Sequence, residues 1–323
     1  MKKALVIGID NYPKGYKLDG CVNDASQFSE LIGWNSDGTP NYDVLKTLNT
    51  QKKTELIKSI KGLFEGDGDS SLLYFSGHGH VDSLSGYLVT PDFEEEDPGV
   101  SMNDIIHIAN RSKVKNKILI LDCCHSGIIG ESITSKYETT DISVGVSILT
   151  SSTKEQLSYE ENGQGIFTTL LLDALRGGAA DVMGNITPGS VYAYIDQALG
   201  AWEQRPVFKT NVNNFTCLRK IEPPIETSIL RELPQLFESP AQEYKLDPSF
   251  EKTNNKNFVH QIIEPYTNLE NSIIFSKLQK LESVGLVVPI NEEHMYFAAM
   301  KSQSCKLTNL GLHYWRLATK NKI

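Results

Sequence analysis

Two short stretches hold residues able to do nucleophilic chemistry. "KILILDCCHSG" carries Cys123, Cys124 and His125, and "LLYFSGHG" carries His78, with His80 just beyond it. A cysteine attacks a carbonyl as the thiolate, so it needs a nearby base, most often histidine, and surroundings that favour negative charge. Gly77 and Gly79 flank His78, and Gly127 follows the cysteines, so backbone at both places can approach a substrate closely. No CxxC spacing or mixed His/Cys cluster points to zinc.

Both stretches end apolar runs, and those runs read as strands. "KKALVIGI", "SSLLYFS", "KILILD" and "SVGVSILT" are continuous apolar segments that stop at turns, the pattern of strands covered on both faces. "DVLKTL" and "QRPVFKT" add shorter strands. Between them lie helical patterns. "NDASQFSELIGW" opens with Asn/Asp capping chemistry, and "TQKKTELIKSIKGLF" has Leu56, Ile60 and Leu63 on one face with Thr50 as its cap. "GIFTTLLLDALRGG" closes at Gly177, and "TPGSVYAYIDQALG" has proline in its first turn. This alternation predicts an α/β fold with a mostly parallel sheet and helices on both faces. In such a sheet, reactive groups collect beyond the carboxyl ends of the strands. His78 and the cysteines would then share one edge.

The chain has 323 residues, 40% of them hydrophobic, enough for one large or two smaller domains. Its formal net charge of -9 argues against bulk binding to nucleic acid or anionic membranes and suits a cationic substrate. Asp10 interrupts the first apolar run with no cleavage site after it, so no signal peptide is expected, and no apolar window is long enough to span a bilayer. Five cysteines (Cys21, Cys123, Cys124, Cys217 and Cys305) without framework spacing fit reduced thiols in the cytoplasm.

"YFSGHG" and "DCCHSG" resemble the two catalytic blocks of caspase-like cysteine peptidases, above all the metacaspase branch, which typically reads "YSGHG" and "DSCHSG". "KALVIGIDNY", "LDGCVNDA" and "GQGIFTTLLLDAL" echo further blocks of that family in the same order, so the resemblance covers residues 1–220. The His78–Cys124 separation sits near the roughly 50 residues of the animal-caspase signature, although the local motif departs from it. The resemblance implies Cys124 as nucleophile, Cys123 as packing, and His78 as the general base and acid, with His80 and His125 outside the reaction. It implies a Cys-His dyad working through an acyl-enzyme. The backbone N–H groups of Gly79 and Cys124 would serve as oxyanion donors.

Substrate preference follows from the same resemblance. Caspases proper hold a P1 aspartate with arginines, whereas metacaspases hold P1 Arg or Lys with acidic residues. The matching positions are Asp24 and Asp122, with Cys21 and Ser76 beside the pocket. Two carboxylates in one pocket attract a guanidinium, with Arg favoured for bidentate contact. Asp24 also suits a helix N-terminus, where a negative charge contributes about 0.3–1 kcal/mol. Ser151 and Ser152 stand at the next strand end, where a substrate can pair as an added strand. Calcium, which many metacaspases need, would find hard oxygen ligands in Asp82, Asp92, Glu94, Glu95, Glu96 and Asp97. Their spacing does not match the longer Asp-rich family pattern, and "DFEEEDPG" reads more simply as an exposed loop. Lys136, in "GESITSKYETTDIS", lies where caspase-like chains are cut and matches a basic preference, so self-cleavage is expected there.

Near Pro223-Pro224 the texture changes, marking a linker and a second domain over 221–323. "TNLENSIIFSKLQKLESVGLVV" reads as a helix stopping at Gly285, "GLVVPI" and "HMYFAAM" as a hairpin, and "KLTNLGLHYWRLA" as a last helix with Tyr314 and Trp315 in its core. That order suggests a small α+β winged-helix-like module. Its balanced charges point to a regulatory or protein-partner role rather than to nucleic acid. The resemblance implies a monomer and a regulated protease of a prokaryotic defence or cell-death system. Two rival readings are a catalytically silent caspase-fold scaffold and a nucleic-acid sensor acting through the tail.

Overall fold

The structure is a computed structural model and describes residues 1–13, 15–82, 85–123, 142–151, 160–161, 164–199, 206–253 and 268–323. Cys124, His125, Gly127, Lys136 and Ser152 lie outside the described residues. The chain divides into two compact units, Met1–Glu222 and Pro223–Ile323.

The first unit is built on six strands: β1 (Lys2–Gly8), β2 (Asp43–Leu48), β3 (Ser70–Ser76), β7 (Asn116–Asp122), β8 (Val146–Thr150) and β12 (Val207–Asn211). They lie in the order β12-β8-β7-β3-β1-β2, with every pairing parallel except β12 against β8. The chain alternates through α1 (Cys21–Gly33), α2 (Lys53–Phe64), α3 (Met102–Arg111), α4 (Ile166–Asp173) and α5 (Pro188–Ala198). Side-chain alternation divides the core into two layers. Leu5, Ile7, Leu73, Phe75, Leu119 and Leu121 pack on α2 and α3, while Ala4, Val6, Leu72, Tyr74, Ile118 and Ile120 pack on α1, α4 and α5. Apolar residues at successive strand positions are thus buried on both faces, which is why these strands read as continuous apolar runs.

Smaller elements decorate this sheet. β4 (Gly79–Val81), β5 (Gly86–Glu94) and β6 (Asp97–Ser101) form an antiparallel three-stranded sheet directly after His78. β9 (Glu160–Glu161) pairs with β10 (Gln164–Gly165), and β11 (Asn185–Ile186) with β13 (Arg219–Lys220). The acidic stretch expected as a loop is therefore a hairpin of β5 and β6, in which Glu94 pairs with Asp97. Lys53 explains its tolerance of so much negative charge. Its backbone N–H donates to Asp92 at 3.0 Å, and its ammonium pairs with Asp97. This also corrects the expected cap of α2. The helix begins at Lys53, beyond the reach of Thr50, and the Asp92 carboxylate from β5 takes its first N–H instead.

In the second unit, α6 (Thr227–Arg231), α7 (Leu233–Leu236), α8 (Leu269–Ser283), α9 (Met295–Met300) and α10 (Asn309–Thr319) accompany β14 (Glu243–Lys245), β15 (Val287–Pro289) and β16 (Ser304–Leu307). The three strands form an antiparallel sheet in the order β14-β16-β15. "HMYFAAM" is helix α9, not a hairpin strand: Met295, Ala298 and Ala299 are buried at helical spacing, and β15 pairs with Ser304–Leu307 instead. Tyr314 is buried, and Trp315 donates its indole N–H to the Phe237 carbonyl at 2.7 Å. Among the described residues no helix is long and apolar enough to cross a membrane.

Candidate active site

Strand register brings the expected site residues to one sheet edge. Ser76 pairs with Asp122, and Gly8 with Ser76, at the carboxyl ends of β3, β7 and β1. The main chain continues the links past the strands. Ile9 N–H donates to the Ser76 carbonyl at 3.0 Å, Gly77 N–H to the Asp122 carbonyl at 3.3 Å, and Ser151 N–H to the Leu121 carbonyl at 3.0 Å. The turn bearing His78 is therefore tied to the strand that leads to Cys124.

His78 is held from three sides. Its backbone N–H donates to the Tyr12 hydroxyl at 3.0 Å, and its carbonyl accepts from Val89 N–H at 3.0 Å. Nε2 of its ring lies 2.6 Å from the Tyr16 carbonyl oxygen. A carbonyl can only accept, so Nε2 carries the proton and Nδ1 is left as the acceptor nitrogen. The Tyr12 and His78 rings pack with centroids 4.5 Å apart, and the Tyr12 hydroxyl donates a hydrogen bond to the Val89 carbonyl at 3.2 Å. Burial pushes the Tyr12 phenol far above its ordinary range, which keeps it a donor. Gly77 makes this possible, because a Cβ there would sit 2.6 Å from the Tyr12 hydroxyl.

Asp10 organises the loop that supplies both tyrosines. Its carbonyl accepts from Tyr12 N–H at 2.9 Å and Leu18 N–H at 3.0 Å. Its carboxylate accepts from Cys21 N–H at 2.8 Å and Val22 N–H at 3.2 Å. Asp10, from outside the helix, thus caps α1, where an Asn/Asp of the helix's own sequence was expected; Asn23 and Asp24 lie inside the first turn. One residue thereby ties Tyr12, Leu18, Cys21 and Val22, at both ends of the loop that carries Tyr16 and at the start of the helix that carries Asp24.

Asp24 and Asp122 are both buried, at 2% and 7% exposure, and they converge on the start of α4. Gly165 N–H donates to Asp24 Oδ2 at 3.3 Å, and Thr168 Oγ1 donates to Asp122 Oδ2 at 2.7 Å. A Cβ on Gly165 would lie 2.9 Å from Asp122 Oδ2 and 3.4 Å from Asp24 Oδ2, so both oxygens border the same point. Both oxygens lie at the positive end of the α4 dipole. Cys21 and Ser76 are buried beside them, at 7% and 2% exposure. Burial pushes the Cys21 thiol well above the ordinary cysteine range, and Asp10, Asp122 and Asp24 push it further, so it lines the cluster as a neutral thiol.

Cys123 falls on the opposite face of β7, buried against the α2 and α3 layer, whereas Asp122 faces α4. Ser151 is buried, with its N–H bound to Leu121 and its hydroxyl to the Cys123 carbonyl at 3.3 Å. Gly79 opens β4 directly after His78. Among the described residues no group of three or more His, Cys, Asp or Glu side chains is arranged to hold a metal ion. Of the acids considered for calcium, Asp92 and Asp97 of the hairpin are turned to Lys53, and Asp82, between β4 and β5, accepts from Ser85 N–H at 2.8 Å.

Sequence reasoning passed over Tyr12, Tyr16, Gly165 and Thr168. All four lie in or beside the blocks "IGIDNY" and "GQGIFTT", but nothing in their residue types announces a carbonyl, a hydroxyl or a missing Cβ aimed at a distant strand.

The caspase-domain model matches residues 1–220. The chain is 28% identical over 155 residues to metacaspase-1 of Plasmodium falciparum, covering 39% of this chain and 24% of that protein. It is 27% identical over 183 residues to the paracaspase of Dictyostelium discoideum, covering 51% of this chain and 41% of that one. These matches span less than half the length of either relative. A crystal structure of a Geobacter sulfurreducens protein shares the fold, with a TM-score of 0.51 at 17% identity over 69% of this chain and 97% of that one. With well over half of its residues matched in one continuous stretch, and with His78 and the Asp24–Asp122 pair gathered at the carboxyl edge of its sheet, the chain belongs to the caspase-domain family.

Proposed function

We propose that the protein is a cysteine endopeptidase that cuts after arginine or lysine. The observation that carries this reading is the convergence of the Asp24 and Asp122 carboxylates on Gly165, beside the neutral Cys21 and Ser76. Two carboxylates that converge on one point suit a guanidinium or an ammonium and repel an acidic P1 side chain.

In this reading His78 accepts the Cys124 proton at Nδ1, and the thiolate forms a bond to the scissile carbonyl carbon. The backbone N–H groups of Gly79 and Cys124 stabilise the oxyanion. As the C–N bond breaks, His78 returns the proton to the leaving amine, and an acyl-enzyme remains. Water, deprotonated by the same nitrogen, resolves it and frees the thiol. Ser151 supports the rim of the cleft through the Cys123 carbonyl. The second unit, winged-helix-like in its helix and strand order, binds an activating protein partner. The whole acts in the cytoplasm as a regulated protease of a defence or cell-death system.

The test is a panel of fluorogenic peptides with P1 Arg, Lys or Asp, with and without calcium, on wild type and Cys124→Ala. Cleavage after Arg and Lys by wild type alone is expected, and cleavage after Asp refutes the pocket. The same preference predicts self-cleavage at Lys136, seen as a band pair in wild type and one intact band in Cys124→Ala.

A further inference from the structure

Asp122 does not hold its place alone. Thr168 Oγ1 donates to its Oδ2 at 2.7 Å, and the Tyr74 hydroxyl lies 2.6 Å from Thr168 Oγ1. The one hydroxyl proton of Thr168 goes to the carboxylate, so Tyr74 is the donor in the second bond. Tyr74 and Thr168 are both fully buried, at 0% exposure. The Tyr74 ring stacks on Phe28 with centroids 4.3 Å apart, which fixes its hydroxyl. Burial and the two aspartates push its phenol well above the ordinary range, so it stays a donor.

A threonine in a helix can bond back to the carbonyl four residues earlier. The neighbouring Thr169 does so, donating to the Gly165 carbonyl at 3.1 Å. Thr168 instead sends its proton off the helix, across to β7, with Tyr74 of β3 behind it. Neither residue needs a polar group to fill this space, because Val and Phe match their shapes.

We propose that Tyr74 and Thr168 are specificity-determining positioning residues that orient Asp122 for a planar guanidinium and so make the site prefer Arg over Lys at P1. This rests on the basic-P1 reading above. A guanidinium gains its bidentate contacts only from carboxylates of set direction, whereas an ammonium is a point charge that follows a carboxylate as it turns. Loosening the direction of Asp122 by removing the Thr168 bond therefore weakens Arg more than Lys.

The experiment measures kcat and KM for P1-Arg and P1-Lys peptides on the full chain, as wild type, Thr168→Val, Thr168→Ser and Tyr74→Phe, with a thermal melt of each. For Thr168→Val, KM for P1-Arg is expected to rise about tenfold while P1-Lys changes by no more than about twofold, with kcat near wild type for both. Thr168→Ser keeps the hydroxyl and restores the Arg/Lys ratio. Tyr74→Phe keeps the Thr168–Asp122 bond and lowers the ratio by about threefold; it carries the test if Thr168→Val does not fold. An unchanged Arg/Lys ratio, equal losses on both substrates, or failure of Thr168→Ser to rescue overturns the positioning role while leaving the basic pocket standing. A wild type that cleaves after neither residue removes the pocket reading and this role with it.

Discussion

His78 Nε2 sits 2.6 Å from the carbonyl oxygen of Tyr16, a residue on the loop after a different strand. This contact, made by main chain on one side, chooses the tautomer of the ring and leaves Nδ1 as the acceptor, the nitrogen the proposed mechanism uses. The second imidazole, His80, has no such support; it is exposed and lies 6.2 Å by ring centroid from Tyr87. His78→Ala should lower kcat/KM on a P1-Arg peptide by about 10²–10⁴. His80→Ala should stay within about threefold of wild type, as expected of a side chain away from the reaction. Equal losses in the two variants would exclude the assignment.

Tyr12 connects the His78 turn to β5. Replacing it by phenylalanine keeps the ring packing but strips the acceptor from His78 N–H and the donor from the Val89 carbonyl. The expected cost is about 1–3 kcal/mol, read as a lower urea midpoint with an unchanged slope. Because the lost bond holds the turn of the proposed base, kcat should fall by about tenfold with KM little altered.

Gly165 leaves room for the paired carboxylates. A methyl group there meets Asp122 Oδ2 at 2.9 Å and Asp24 Oδ2 at 3.4 Å, so one of them must move. For Gly165→Ala, KM for a P1-Arg peptide should rise by about tenfold or more. Alkylation of Cys124 by iodoacetamide, followed by peptide mass spectrometry, should keep its wild-type rate. Slower alkylation would show that the substitution acts on the nucleophile rather than on the pocket.

Cys305 gives the second unit an alkaline limit. Burial, with Glu282 nearby, pushes its thiol up to about 12, against about 8.5 in an unfolded chain. The unfolded state therefore releases this proton first. Its contribution to stability is whole below about pH 8.5 and is lost progressively as pH rises towards about 12. Urea midpoints followed by tryptophan fluorescence should fall between pH 8 and pH 10.5. The fall should be shallower in Cys305→Ala, and an equal fall would assign the effect to other groups.

The residue pattern by itself determined the parallel sheet, because strands buried on both faces must be apolar at nearly every position, as "KILIL" and "SLLYF" are. It also determined which chemical groups the strand ends carry, since motif spacing places Ser76 and Asp122 at the ends of adjacent strands and His78 just beyond one of them. It failed at "HMYFAAM", where a short apolar run fits strand and helix alike, and the choice fell to the packing of Met295, Ala298 and Ala299. It failed at Thr50 for a related reason: the group that caps α2 is Asp92, supplied by a strand far along the chain.

Only the tertiary structure decided how the site groups are held. The Tyr16 carbonyl on His78, the Tyr12 hydroxyl beneath it, the Asp10 carboxylate capping α1 and the Thr168 hydroxyl on Asp122 all join segments distant in sequence. Backbone carbonyls are common to all residues, and a buried hydroxyl reads in sequence like any other. Their direction is set by the packing of β1, β3 and β7 against α1 and α4, and that direction is what leaves one nitrogen of His78 as an acceptor and brings the Asp24 and Asp122 carboxylates to one point.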